Sequence, residues 1–314
     1  MKFLPCLVLA AGLSGAITLA AQARIERTVE KSFNVQPGGT LRIETQGGEI
    51  RVSSTNDSVV KVTARERFRT DSDTEADEVL KKLELTMEQN GNDVTAIAKY
   101  ESRIPGFHWG SWPPVSVDFI VTVPAKYAAD LHTSGGGITV GDLGGKVNAR
   151  TSGGGIKLGK IGGDIDARTS GGGITLDEAG GAVQLHSSGG SITVGHAAGP
   201  AEISTSGGGI KIESVANAIH ASTSGGSVRA TITGPLGDDC VLNTSGGSIK
   251  VTVDKAAAFR LDASTSGGDV RAEGLTITIE SGGSGRSRLA GTVNGGGHLL
   301  KLRSSGGDVV VTPR

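Results

Sequence analysis

The sequence has almost no cysteine: Cys6 and Cys240 are its only two. Cys6 lies in an N-terminal segment that is expected to be removed, so Cys240 has no partner within the chain and a disulfide framework is excluded. Charge of either sign in excess is also missing. Thirty-one basic and 32 acidic side chains leave a formal charge of −1, which gives no global pull toward nucleic acid. After the first 23 residues no apolar run approaches the roughly 20 residues that a membrane span needs. Aromatic residues amount to 3%. The six histidines show no His-x-x-x-His spacing and there is no Cys-x-x-Cys, so neither a zinc site nor any cofactor is indicated.

What the chain has in excess is glycine. Its 51 glycines are more than twice the ordinary share of about 7%, and they recur periodically. The string Thr/Ser-Ser-Gly-Gly begins at Thr133, Thr151, Thr169, Ser187, Thr205, Thr223, Thr244, Thr265 and Ser304. The first five intervals are 18 residues, the next two 21, and the last 39, which equals one of each length. Apolar residues hold fixed phases around the motif: four before it (Val147, Ile165, Val183), two before it (Ala149, Ala167, Leu185), five after it (Ile138, Ile156, Ile174) and seven after it (Val140, Leu158, Leu176). Each repeat therefore carries two short strands with period-2 alternation.

Two glycine corners separate those strands, Ser-Gly-Gly and a second one typified by Gly144-Gly145 and Gly162-Gly163. Glycine suits a corner through positive φ or through close backbone approach. A single coil buries too little apolar surface to fold alone, whereas coils stacked about 4.8 Å apart pair every strand above and below. The fold class expected is all-β: a parallel β-solenoid, or β-helix, of mostly 18-residue coils. A β-propeller needs about 40 residues and four strands per blade, which this period does not supply. The extra residues are expected in corners, after Ala230 and around a degenerate coil at Ser281-Gly282-Gly283.

The N-terminus reads as a signal peptide: Lys2, an apolar stretch from Phe3, and Ala21-Gln22-Ala23 as the cleavage site. The expected organisation is residues 1–23 signal peptide, 24–128 a first coil plus an N-terminal β-rich cap with one short helix, and 129–314 glycine-rich solenoid. The first coil shows in Leu41 to Val52, which repeats the phase around Thr45-Gln-Gly-Gly. Cleavage leaves no integral membrane segment and an exported protein, periplasmic or extracellular.

The Ser-Gly-Gly-Gly-Ile-Thr-Val coils, preceded by Val123-Pro124 and Leu131-His132-Thr133, resemble the bacterial "putative adhesin" family of unknown function. That resemblance implies an exported β-solenoid associated with the cell envelope and supplies no catalytic motif.

Candidate sites follow from the outward columns. Six residues after the motif start, Lys211, Arg229, Lys250 and Arg271 fall on what read as four successive coils. Like charges opposed on neighbouring strands are destabilising, which an anionic partner, an acidic glycan or envelope component, would relieve; a solubility device that blunts a flat β face is the other reading. His132, Arg150, Arg168 and His186 form a second column beside Asp130, Asn148, Asp166, Gln184 and Glu202, expected as a mixed-charge solvated face. Asp130, Asp166 and Glu202, two coils apart, are the carboxylates a glycosidase or lyase would use. The segment from Ile104 to Pro114 contains Phe107, Trp109 and Trp112, suited either to covering the solenoid end or to contacting a glycan or a protein partner. A noncatalytic surface module is the expected function, with an extracellular carbohydrate-active enzyme as the alternative. No nucleic-acid partner is expected. Cys240 holds an inward phase and is expected to be buried.

Overall fold

The structure is a computed structural model that describes residues 25–100 and 114–314. The segment expected to be a signal peptide and the aromatic residues Phe107, Trp109 and Trp112, with His108, lie outside the described residues.

The inward phases named above generate two sheets packed back to back. Each coil contributes one strand to a 14-stranded sheet and the next to a 13-stranded sheet. Val147–Thr151 pairs in parallel with Ile165–Thr169, and Ile156–Ile161 with Ile174–Ala179, motif residue against motif residue: Thr151 faces Thr169 and Ile156 faces Ile174. The apolar columns are buried along the stack, Val147, Ala149, Ile156 and Leu158 among them, and Ala272 at the C-terminal end of its column is half-buried. The protein is a parallel β-solenoid.

The motif threonine closes the corner from inside. Thr151 Oγ1 donates to the Gly136 carbonyl of the preceding coil at 2.8 Å and accepts from the Gly154 N–H at 3.3 Å. The same pair of bonds recurs at Thr133, Thr169, Ser187 and Thr223. A half-buried backbone carbonyl and a half-buried N–H are thereby satisfied at these corners. The glycines at this corner are there for close approach: a Cβ on Gly154 would lie 2.5 Å from Gly137 N, with the Gly136 carbonyl closer still. Its φ is not positive, so stacking, and no left-handed conformation, demands glycine.

Both ends of the solenoid depart from simple succession. At the N-terminal end, Thr40–Thr45 and Ile50–Thr55 form the first coil, but it lies between two others: Ala128–Thr133 and Ile138–Val140 on one side, Asp93–Tyr100 and Val115–Pro124 on the other. The chain therefore steps outward before it returns. Antiparallel strands finish the stack there, with Val59–Phe68 on Val115–Pro124, Glu26–Asn34 beyond it, and Leu83–Asn90 on Asp93–Tyr100. The helix Asp73–Leu80 joins the two sides; Ser72 caps it by accepting from the Glu75 N–H at 3.4 Å, and Asp73 and Glu75 complement the helix dipole in the first turn.

At the C-terminal end the 39-residue interval does not hold two stacked coils, contrary to the sequence expectation. Ile277–Gly282 and Arg288–Val293 form an antiparallel hairpin laid against Phe259–Thr265. Gly282 and Gly285 have φ of 81° and 75°, so this glycine cluster reverses the chain where the others turn a corner. The last coil, Leu299–Ser304 with Val309–Pro313, then inserts between Cys240–Thr244/Ile249–Val253 and Phe259–Thr265/Val270–Ala272. The chain skips one level and afterwards fills it.

Candidate functional site

Strand register puts Lys211, Arg229 and Lys250 directly opposite one another on three neighbouring strands of the 13-stranded sheet. The expected four-member ladder is interrupted: Lys250 faces Val310, and Val310 faces Arg271. Insertion of the last coil moves Arg271 one level further away, and Arg271 pairs there with Asp269 at 3.3 Å and Asp308 at 3.8 Å. Lys211 has Glu213 as an ion-pair partner. Arg229 and Lys250 make no ion pair among the described residues. They line a shallow groove of about 290 Å³ together with Ser191, Ser227 and Ser248. Successive cations in such a column are about 4.8 Å apart, and each can donate hydrogen bonds only.

The opposite face, on the 14-stranded sheet, carries His132, Arg150, Arg168 and His186 in register. Asp166 sits between the two arginines, accepting from Arg168 Nε at 2.8 Å and Arg150 Nη2 at 3.0 Å. Asn148 Nδ2 donates to Asp130 Oδ1 at 2.8 Å. This column borders a larger groove of about 640 Å³ that Lys99, Glu44, Ser152 and Ser170 also line.

Asp130, Asp166 and Glu202 do occupy one column, two strands apart, as the repeat period requires. Burial raises the Asp166 pKa, but the hydrogen bonds from Arg168 and Arg150 outweigh it and hold the carboxyl below its usual range. A general acid needs the reverse, a carboxyl that keeps its proton near neutral pH. The geometry thus gives Asp166 the work of fixing two guanidinium groups.

Cys240 is 0% exposed, in the inward column after Ile219, and burial pushes its thiol pKa up. Sequence spacing missed one group: Asp238, Asp239 and His298 bring their ligand atoms within 4.8 Å of one another. They are 60 residues apart and meet only because the inserted coil pairs with Cys240–Thr244. All three are exposed, and Asp239 Oδ1 already accepts from the Leu299 N–H at 2.8 Å, which accounts for it as part of the corner. Among the described residues no helix is long and apolar enough to cross a membrane.

Three solved structures are similar in overall course. A protein described as a putative lipid binding protein from Parabacteroides distasonis matches with a TM-score of 0.46 at 12% identity, covering 91% of this chain and 96% of that one. One described as a putative adhesin from the same organism gives 0.45 at 12%, covering 90% and 97%. Another putative adhesin, from Bacteroides fragilis, gives 0.39 at 11%, covering 91% and 97%. No curated protein matches the sequence. A family sequence profile, in contrast, matches residues 39–312, the whole stack of coils from the first to the inserted last one, and on that match the chain belongs to the Toastrack DUF4097 family.

Proposed function

We propose that this chain is a noncatalytic, exported envelope module that binds an acidic glycan along the Lys211, Arg229, Lys250 column. The observation that carries the reading is the pairing of Arg229 with Lys250 on adjacent strands with no carboxylate partner among the described residues. Like charges directly opposed across strands cost roughly 0.2–1 kcal/mol, and a bound polyanion turns that repulsion into attraction for both. The groove beside them adds the hydroxyls of Ser191, Ser227 and Ser248, which can donate to sulfate or carboxylate oxygens. Rigidity of the backbone helps, since the strand ladder presents the two cations at a fixed spacing before anything binds. The export part of the reading rests on Lys2, the apolar run and Ala21-Gln22-Ala23.

Replacing Arg229 and Lys250 together by Gln tests the site. Binding of the mature protein to immobilised dextran sulfate should weaken several-fold, and the remaining affinity should depend less steeply on salt, because exposed charges are screened beyond about 8 Å at physiological ionic strength. If the column only confers solubility, affinity will be unchanged and the melting temperature equal or slightly higher. That result would rule the site out.

A further inference from the structure

The larger groove, on the opposite face, has the same chemistry in a different arrangement. Its lining holds the cation column centred on Arg150 and Arg168, directly opposed on adjacent strands, together with Ser152 and Ser170, two residues further along the chain from each arginine. Lys99 adds a third cation, and Glu44, the one carboxylate in the lining, is already engaged by Arg42 and by Lys99 at 3.8 Å. Asp166 takes only one nitrogen from each arginine, Nη2 of Arg150 and Nε of Arg168. Each guanidinium has five N–H donors, so both keep donors free while Asp166 fixes their direction, as a preorganised anion site requires. Their side chains remain 45% and 53% exposed.

The two grooves share no lining residue and open on opposite sheets, and the one coil common to both, Val183–Ser187 with Ile192–Ala197, gives His186 and Ser188 to one and Ser191 and Thr193 to the other. Outward columns of the two sheets point in opposite directions across a core about 10 Å thick. A polymer chain in one groove therefore leaves the other open.

We propose that the groove at Arg150 and Arg168 is a second site for acidic glycan, and that one molecule bridges two glycan chains. Bridging rests on the reading of Arg229 and Lys250 given above; the second site stands independently of it. A sandwich assay separates the two. The mature protein is captured on immobilised dextran sulfate, washed, and exposed to soluble fluorescent dextran sulfate.

Wild-type protein should retain the soluble chain. Arg150→Gln/Arg168→Gln and Arg229→Gln/Lys250→Gln should each still bind the surface but retain at least tenfold less soluble chain. Arg150→Lys/Arg168→Lys keeps the charge and should retain most of the signal, which guards against a loss caused by misfolding. Asp166→Ala frees both guanidinium groups and should weaken capture several-fold although it makes the groove more positive, a loss that a merely charge-driven attraction would not produce. Failure of Arg229→Gln/Lys250→Gln to change anything, with loss in Arg150→Gln/Arg168→Gln, would refute the first site and leave the second in place. Full capture by Arg150→Gln/Arg168→Gln would overturn the second site, and equal capture of single-stranded DNA of matched charge would overturn its assignment to glycan.

Discussion

The stacking demand at the Ser-Gly-Gly corner makes two neighbouring glycines respond oppositely to the same small change. A Cβ on Gly154 would meet Gly137 N at 2.5 Å and the Gly136 carbonyl more closely, whereas a Cβ on Gly155 would meet Gly173 O at 3.2 Å and nothing nearer. Real Cβ atoms do not tolerate the former contact, so Gly154→Ala must push two coils apart by most of an ångström, against ladders fixed near 4.8 Å. Overpacking of this kind costs about 1–3 kcal/mol, and disturbing the Thr151 bonds to Gly136 O and Gly154 N at that corner adds on the order of 1 kcal/mol. A total loss of about 3 kcal/mol is expected. Gly155→Ala should fall within about 0.5 kcal/mol of wild type, since the reduced freedom of the unfolded chain, worth about 0.4–1 kcal/mol, offsets a mild contact; the repeat itself places Ser191, Ser227 and Ser248 at that phase. Urea unfolding of both variants gives the difference. Hydrogen exchange of the Val147–Thr151 and Ile165–Thr169 amides localises it, because stacked repeats open in neighbouring units. Equal losses in the two variants would refute close approach as the reason for the corner glycine.

Further outcomes follow from buried groups. Native Cys240 should react with a thiol reagent on the order of a hundredfold more slowly than in denaturant, since labelling requires local opening; equal rates would contradict its inward register. Glu66 points into the N-terminal cap, and burial raises its pKa despite the nearby Arg27. The folded state then holds a proton that the unfolded state has released, so stability should fall as pH rises from the ordinary glutamate range through the raised value. Glu66→Gln should flatten that dependence and raise the urea midpoint at pH 7, and a lower midpoint would show that the charged carboxylate is stabilising. Asp166, with its depressed pKa, acts in the opposite sense. Its contribution is present above the unfolded value and is lost as pH falls through the folded one, so acid unfolding of Asp166→Asn should show a shallower pH dependence than wild type.

What the sequence determined by itself was the content of each coil. The alternation that buries Ile156 and Leu158 while exposing Lys157 is local, and so is the phase of Thr151 that turns its hydroxyl into the corner. The early coil around Thr45, the helix near residue 73, and the strands at Val59, Asp93 and Val115 carry the same local signals. The order of coils along the axis is a different matter. Every coil presents nearly the same inward columns, so any coil can stack on any other, and period alone does not say which neighbours meet. Edge protection and the reach of the connecting segments decide it: the hairpin at 277–293 covers one edge, and the last coil fills the level that the chain had skipped. That placement breaks the cation column at Val310, gathers Asp238, Asp239 and His298, and puts Arg271 beside Asp308. The anion-binding reading of Arg229 and Lys250 thus starts in the repeat, and its limits were drawn only by the tertiary structure, because neighbours on the axis are chosen by closure of the stack and not by the pattern within a coil.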